Sequence, residues 1–337
     1  MKPLTSLSAE EREKLSLLSL DDLAALPDPV YLIDGVLPAN VLGVLYGAPG
    51  AGKSFIALDM ASAIASGREW LGRETRPGKV LYVAAEGALG MKQRIAAYQL
   101  RHAIPGDSIR FLPVPFDARS SKSRDAIVAV LAENAFKPDL IIVDTLARVA
   151  VGADENSAQQ MGEVVEGFET LRRATEATIL VIHHTRKDGE GFRGSSALEG
   201  AVDVMIECTA EKDALGAALK CKKMKDDEPF DEIAVEFEKV DLPGGRSSLV
   251  VAGKLDRMLA ATEADQEVLK VLETSFAETG ATHKEWREAS LAEAGIADKT
   301  FNRVIKKLRE AGKVRHEGSG KGARYYPVGV SVTSVSA

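Results

Sequence analysis

Residues 41–54 read VLGVLYGAPGAGKS, a short apolar run that opens into a glycine-rich turn closed by a Lys-Ser pair. The run has the length and composition of a strand buried on both faces, and Ser54–Ser66 continues with helical period. Between them, Gly47, Ala48, Pro49, Gly50, Ala51, Gly52, Lys53 and Ser54 fit the pattern GxxxxGK[ST], with Phe55 directly after it. In that pattern backbone N–H groups wrap phosphates, Lys53 reaches the β and γ oxygens, and Ser54 ligates Mg²⁺. A strand that feeds such a loop and then a helix is one unit of a parallel α/β sheet. The motif therefore constrains the fold as well as the ligand.

The neighbouring sequence supplies more such units. KVLYVAA (79–85), IRFLPV (109–114), DLIIVD (139–144) and ATILVIHH (177–184) read as buried strands. Helical patterns at Leu89–Leu100, Ser123–Glu133 and Ser157–Ala174 alternate with them. Strands buried on both faces and separated by crossover helices predict a parallel sheet with helices on each side. From 202 to 251 the texture changes to short β-rich pieces (VMIEC, LGAALKCKKM, EIAVEFEKV, SSLVVAG), which predict antiparallel strands added at one edge.

A phosphate loop needs an acid at the end of a nearby strand to hold the metal. DLIIVD places Asp144 at a carboxyl end, where ligands of open α/β sheets bind. Thr145 follows, so no second acid sits beside it. Glu86 closes the strand KVLYVAA, on the rim where parallel strand ends converge, within reach of a γ-phosphate. Together these residues point to ATP and Mg²⁺.

Composition removes other classes. A chain of 337 residues with 45% hydrophobic and 28% charged side chains is neither a disordered tail nor a disulfide scaffold. Cys208 and Cys221 are too far apart for a CxxC metal site. Nothing approaches the 18 or so consecutive apolar residues of a membrane span, and the first twenty residues balance Lys2, Arg12 and Lys14 with Glu10, Glu11 and Glu13 where a leader has a basic excess. A cytoplasmic chain with reduced thiols and no membrane partner is expected.

The net charge of −7 is unevenly placed. Residues 296–327 carry nine Lys/Arg against three acids, a local +6 that leaves −13 on the rest. In this stretch 298–311 shows one apolar helical face, Phe301, Val304, Ile305 and Leu308. Two further short helices (265–276, 284–294) precede it, and KVRHE and ARYYPV flank the turn GSGKG. Three helices and a hairpin predict a winged helix-turn-helix, with Lys299, Arg303, Lys306, Lys307 and Arg309 off the apolar face and Lys321 and Arg324 on the wing. The organisation expected is an arm (1–29), an ATPase domain (30–253), a linker (254–264), a winged-helix domain (265–327) and a frayed tail (328–337).

Taken together, PDPVYLIDGVLPANVLGVLYGAPGAGKS, KVLYVAAEG, DLIIVDTLARV, ATILVIHHTRK and RGSSALEGAVD resemble the RecA-like superfamily. The resemblance is strongest to RepA-type hexameric replicative helicases of plasmids and phages and their DnaB and KaiC relatives, and it spans 29–252. It implies a homohexameric ring with single-stranded DNA in its channel and duplex DNA at the winged module. It assigns Glu86 as the base that activates water and His184 as the γ-phosphate sensor. It places the loops Ala150–Ser157 and Arg186–Ser196 along the channel, with Arg186, Lys187 and Arg193 as DNA contacts. It also makes Lys223 and Lys225 the cations that complete a neighbour's site. Relatives often carry Arg at one of these two positions, and the Arg they use after the RGSSAL segment is Asp203 here. Two other readings of the same residues are an ATPase stimulated by single-stranded DNA without unwinding, such as a mediator or loader, and a regulator whose DNA binding is gated by ATP.

Overall fold

The computed structural model describes residues 17–85, 88–102, 104, 106–185, 196–211, 214–255, 263–310, 313–318 and 322–328. A nine-stranded sheet runs through the larger part. In chain order its strands are β3 (Leu42–Gly47), β4 (Val80–Ala84), β5 (Ile109–Leu112), β6 (Leu140–Asp144), β7 (Thr178–His184), β8 (Val204–Ala210), β9 (Gly216–Met224), β10 (Ile233–Leu242) and β11 (Arg246–Lys254). Their order in space is β11-β10-β9-β8-β3-β7-β6-β4-β5. A two-stranded piece, β1 (Tyr31–Ile33) with β2 (Leu37–Pro38), precedes it.

Period-two alternation within the apolar runs builds the layers. Leu45, Tyr82, Ile142 and Ile182 point to one face, while Val44, Val83, Val143 and Val181 point to the other. The first face is covered by α2 (Lys53–Ser66) through Ile56, Met60 and Ile64 and by α3 (Ala88–Gln99) through Met91 and Tyr98. The second is covered by α4 (Ser121–Glu133) and α6 (Ala158–Thr175), which contribute Ile127, Leu131, Val164, Phe168 and Leu171. Ser120 and Ser157 cap those two helices by accepting from Ser123 N and Gln160 N. A four-residue turn, α5 (Leu146–Val149), follows β6, and α7 (Ser196–Ala201) precedes β8.

The edge differs from the sequence expectation at one strand. VMIEC, expected to be antiparallel, forms β8 and pairs parallel with β3; only β9, β10 and β11 run antiparallel. The short connection after Ala201 enters β8 from the same end of the sheet as β3, which fixes its direction. The antiparallel strands bury Leu219, Val235, Phe237 and Val250 in the core that holds α2 and α3. They fold over that face as well as extending it.

The arm contains α1 (Leu20–Ala24), whose N-cap Ser19 forms a capping box with Asp22. The C-terminal residues form their own core, with α8 (Glu263–Ser275), α9 (His283–Ala294), α10 (Asp298–Glu310) and a three-stranded antiparallel sheet ordered β12 (Ala281–Thr282), β14 (Arg324–Pro327), β13 (Val314–Glu317). Phe301, Val304, Ile305 and Leu308 pack against Trp286, whose indole N–H donates to Val268 O at 2.9 Å. The expected three helices and hairpin are present, with β12 as an added strand. Of the expected linker (254–264), Lys254 ends β11 and α8 begins at Glu263, while residues 256–262 and the tail from 329 lie outside the described residues. No helix among the described residues is long and apolar enough to cross a membrane.

Candidate nucleotide site

β3 ends at Gly47 and α2 begins at Lys53, so the motif forms the loop between a buried strand and a 14-residue helix. The helix N-terminus brings orphan N–H groups and the positive end of the macrodipole to this loop. Gly52, the N-cap, has φ +92°, and a Cβ there would lie 2.4 Å from Cζ of Phe237 on β10. A Cβ on Gly47 would lie 2.0 Å from the carbonyl oxygen of Cys208 on β8. The Cys208 thiol donates to Ala51 O at 3.2 Å, and burial pushes its pKa up to about 12. Glycine is therefore required at both ends of the loop because β8 and β10 press against it.

Lys53 is only 5% exposed. Its ammonium donates to Gly47 O at 2.8 Å and Ala48 O at 2.9 Å, and stands 3.3 Å from Nδ1 of His184. His184 reaches that place because β7 pairs parallel with β3 in a register that sets it opposite Gly47. Ser54 and Phe55 are half-buried on the first turn of α2.

Asp144 ends β6, on the far side of β7 from the loop strand. It is 3% exposed and accepts a hydrogen bond from the Tyr82 hydroxyl at 2.8 Å on Oδ2. Arg94 of α3 brings Nη1 to 3.7 Å from the same oxygen, with its guanidinium carbon 5.3 Å from the centre of the Phe55 ring. One turn on, the Tyr98 hydroxyl donates to Asp59 Oδ1 at 2.5 Å, and Arg68 also binds that carboxylate. This braces α3 on the phosphate-loop helix. A cavity of about 370 Å³ opens beside Phe55 and Arg94, walled also by Gln93, Lys239, Ser247 and Leu249.

The donor set suits Mg²⁺. Asp144 offers a carboxylate and Ser54 a hydroxyl, and Mg²⁺ commonly takes one or two such oxygens while phosphates and waters fill its other positions. Among the described residues no group of three or more His, Cys, Asp and Glu could cage a metal alone.

Glu86, the expected base, lies outside the described residues; the chain leading to it is pinned by Ala85 N donating to Asp144 O at 2.9 Å. Arg186, Lys187, Arg193 and Lys321 also lie outside them, as do the side chains of Lys299 and Lys307. Lys223 and Lys225 stand at the opposite end of the sheet from the loop. Met224 between them pairs with Val204, which pairs with Gly43 at the start of β3. The Lys223 ammonium donates to the carbonyls of Glu199 and Gly200 at 3.0 Å, and Lys225 pairs with Asp203 at 3.2 Å. Their own chain's nucleotide site is thus out of reach. Arg303 and Lys306 are exposed on α10, whereas Arg324 is tied down, donating to Thr279 O at 2.9 Å and facing Glu285 at 3.7 Å. Arg309 lies over the Tyr325 ring and Arg315 over Tyr326, at 6.0 and 4.5 Å.

Sequence reasoning missed Tyr82, Arg94, Cys208 and Phe237. Tyr82 and Cys208 sit inside apolar strand runs, and Arg94 is one cation on a helix. Phe237 arrives from a strand 183 residues beyond Ser54, and no local signal marks it.

The family described as AAA domain matches residues 9–190, more than half of the chain. The chain belongs to that family. This AAA-domain match runs from the arm through β7 and takes in the phosphate loop, Asp144 and His184; β8 to β11 and the C-terminal unit lie beyond it. Among solved structures, the AAA-domain chain is similar to a KaiC-like protein from the archaeon Pyrococcus horikoshii. The two are 15% identical over 66% of this chain and 98% of that one, with a TM-score of 0.44. The protein is a P-loop ATPase of the AAA-domain family.

Proposed function

We propose that this ATPase is a Mg-ATP-driven motor on nucleic acid, a hexameric DNA helicase of the RepA type. The observation that carries the reading is the contact between Lys53 and His184. An ammonium only donates, so Nδ1 of His184 accepts from it and the ring proton sits on Nε2. Phosphates entering the loop compete for the same ammonium. When Lys53 turns to them, its contact with His184 breaks, and the segment that starts two residues later receives the signal. A nucleotide-dependent signal at the root of that loop is what a translocating motor needs.

In the proposed cycle the loop amides and Lys53 hold the phosphates. Bound Mg²⁺, held by Ser54 and through water by Asp144, would neutralise charge on the phosphates. Glu86 takes the proton of the attacking water. Lys223 and Lys225 act on a neighbouring copy in the ring, which agrees with their distance from their own site. Lys lacks the planar fork of Arg, so that contribution is a point charge. Single-stranded DNA meets Arg186, Lys187 and Arg193. The C-terminal unit, read as a winged helix, offers Arg303, Lys306 and Arg309 to duplex phosphates, Lys299, Lys307 and Lys321 are proposed as further contacts, and Arg324 braces the wing.

The test is strand displacement on a forked duplex by the full chain with Mg-ATP. The proposal expects displacement that requires ATP hydrolysis. Turnover stimulated by single-stranded DNA with no displacement would move the assignment to a mediator or loader. DNA binding that responds to ATP without DNA-stimulated turnover would move it to a regulator.

A further inference from the structure

We infer that Arg94 is a counter-charge of Asp144 in the metal-free site, so that it supports nucleotide binding without Mg²⁺ and is largely dispensable once Mg²⁺ is bound. The inference rests on the Mg-nucleotide reading above.

A carboxylate 3% exposed is costly unless charges or hydrogen bonds compensate it. The Tyr82 hydroxyl supplies a neutral hydrogen bond at 2.8 Å, and the Arg94 guanidinium supplies a positive charge 3.7 Å from the same Oδ2. Arg94 is held there from two sides. The Phe55 ring, on the turn that follows Lys53, lies under the guanidinium, and such stacking favours a cation. Tyr98, four residues on in α3, anchors the helix to Asp59 and Arg68. The side chain is 28% exposed, so it is seated yet has room to move.

The consequence follows from charge. A polyphosphate arriving beside the Asp144 carboxylate is repelled by its charge, and a divalent cation removes that repulsion. Without the metal, Arg94 performs part of the same neutralisation. With the metal bound, a guanidinium at this distance adds a second cation where one suffices. The cavity that Arg94 already lines, with Gln93, Ser247 and Leu249, is open for it to withdraw into. The effects of Arg94 and Mg²⁺ on nucleotide affinity should therefore overlap.

The experiment measures binding of a fluorescent ATP analogue to the full chain, in excess Mg²⁺ and in EDTA. Arg94→Met keeps a long apolar stem against Phe55, and Arg94→Lys keeps the charge. Because one opposite charge within about 4–6 Å is worth about tenfold or more, Arg94→Met is expected to lose about tenfold in EDTA. In Mg²⁺ its loss stays below about threefold, on the same charge argument. Arg94→Lys should fall between, and Asp144→Asn added to Arg94→Met should restore EDTA binding. Equal losses in both conditions would mean that Arg94 touches the nucleotide or merely holds α3, and would overturn the inference. So would unchanged affinity in EDTA, or a wild-type chain that binds only with Mg²⁺. A wild-type chain that binds no nucleotide even with Mg²⁺ would instead overturn the nucleotide reading itself.

Discussion

The ammonium of Lys53 and Nδ1 of His184 stand 3.3 Å apart, which joins the phosphate loop to the last residue of β7. Lys53 also donates to two loop carbonyls, so a phosphate recruits it from three oxygen and nitrogen acceptors at once. The contact predicts a separation of functions for His184→Asn. ATP binding and basal turnover should stay within about tenfold of wild type, the loss of one hydrogen bond of about 0.5–1.5 kcal/mol. Stimulation by single-stranded DNA should disappear. Titrations of turnover with DNA, run beside nucleotide binding, measure both.

Gly52→Ala is expected to damage the loop through two named causes. Alanine at φ +92° carries a backbone cost of about 1–2 kcal/mol. Its Cβ also meets the Phe237 ring at 2.4 Å. The variant should melt at a lower temperature and bind nucleotide more weakly. Gly52→Ala with Phe237→Leu should recover part of the melting temperature, because the second change relieves the ring contact alone. Thermal unfolding of the single and double variants checks this.

Glu86→Gln should retain ATP binding and lose turnover by about a hundredfold or more, the contribution of a positioned acid–base group. Nucleotide binding and single-turnover hydrolysis of the same preparation give the two numbers. Turnover that survives would remove Glu86 from the chemistry.

Acid should loosen the C-terminal unit. The Thr282 N–H, donating to Glu285 at 2.8 Å, holds that carboxyl below its ordinary 4.5. Arg287 beside Asp298 holds the latter below its ordinary 3.8. Both pKa values are depressed in the folded state. Their stabilisation is therefore present above the ordinary values and lost as pH falls through the lower folded ones. Near-ultraviolet circular dichroism of the Trp286, Phe301 and Tyr325 cluster should weaken as pH drops below 3.8. Glu285→Gln should lessen that dependence.

Much of this was legible in the sequence because it is local. The strand, loop and helix around Lys53, the apolar run ending in Asp144, and the face of α10 each announce themselves within a dozen residues. What escaped depends on distant strands or on direction. The same apolar pattern suits a parallel and an antiparallel strand, so the parallel pairing of VMIEC with β3 was not legible, although its antiparallel pairing with β9 was. The pressure of Phe237 on Gly52 exists only once β10 folds over α2. Arg94 has no partner pattern in sequence, since Asp144 lies 50 residues away and meets it across α3 and β6. The basic pair Lys223 and Lys225 was visible as a pattern, but only the register of β9 with β8 puts it at the far end of the sheet.

The central claim is that hydrolysis at the Lys53 site is coupled to nucleic acid. Its most direct test is steady-state ATP turnover of the full chain with Mg²⁺, titrated with single-stranded DNA, beside Lys53→Ala. Turnover should rise to saturation with DNA and vanish in Lys53→Ala. Turnover that stays flat through the titration, or persists in Lys53→Ala, would contradict it.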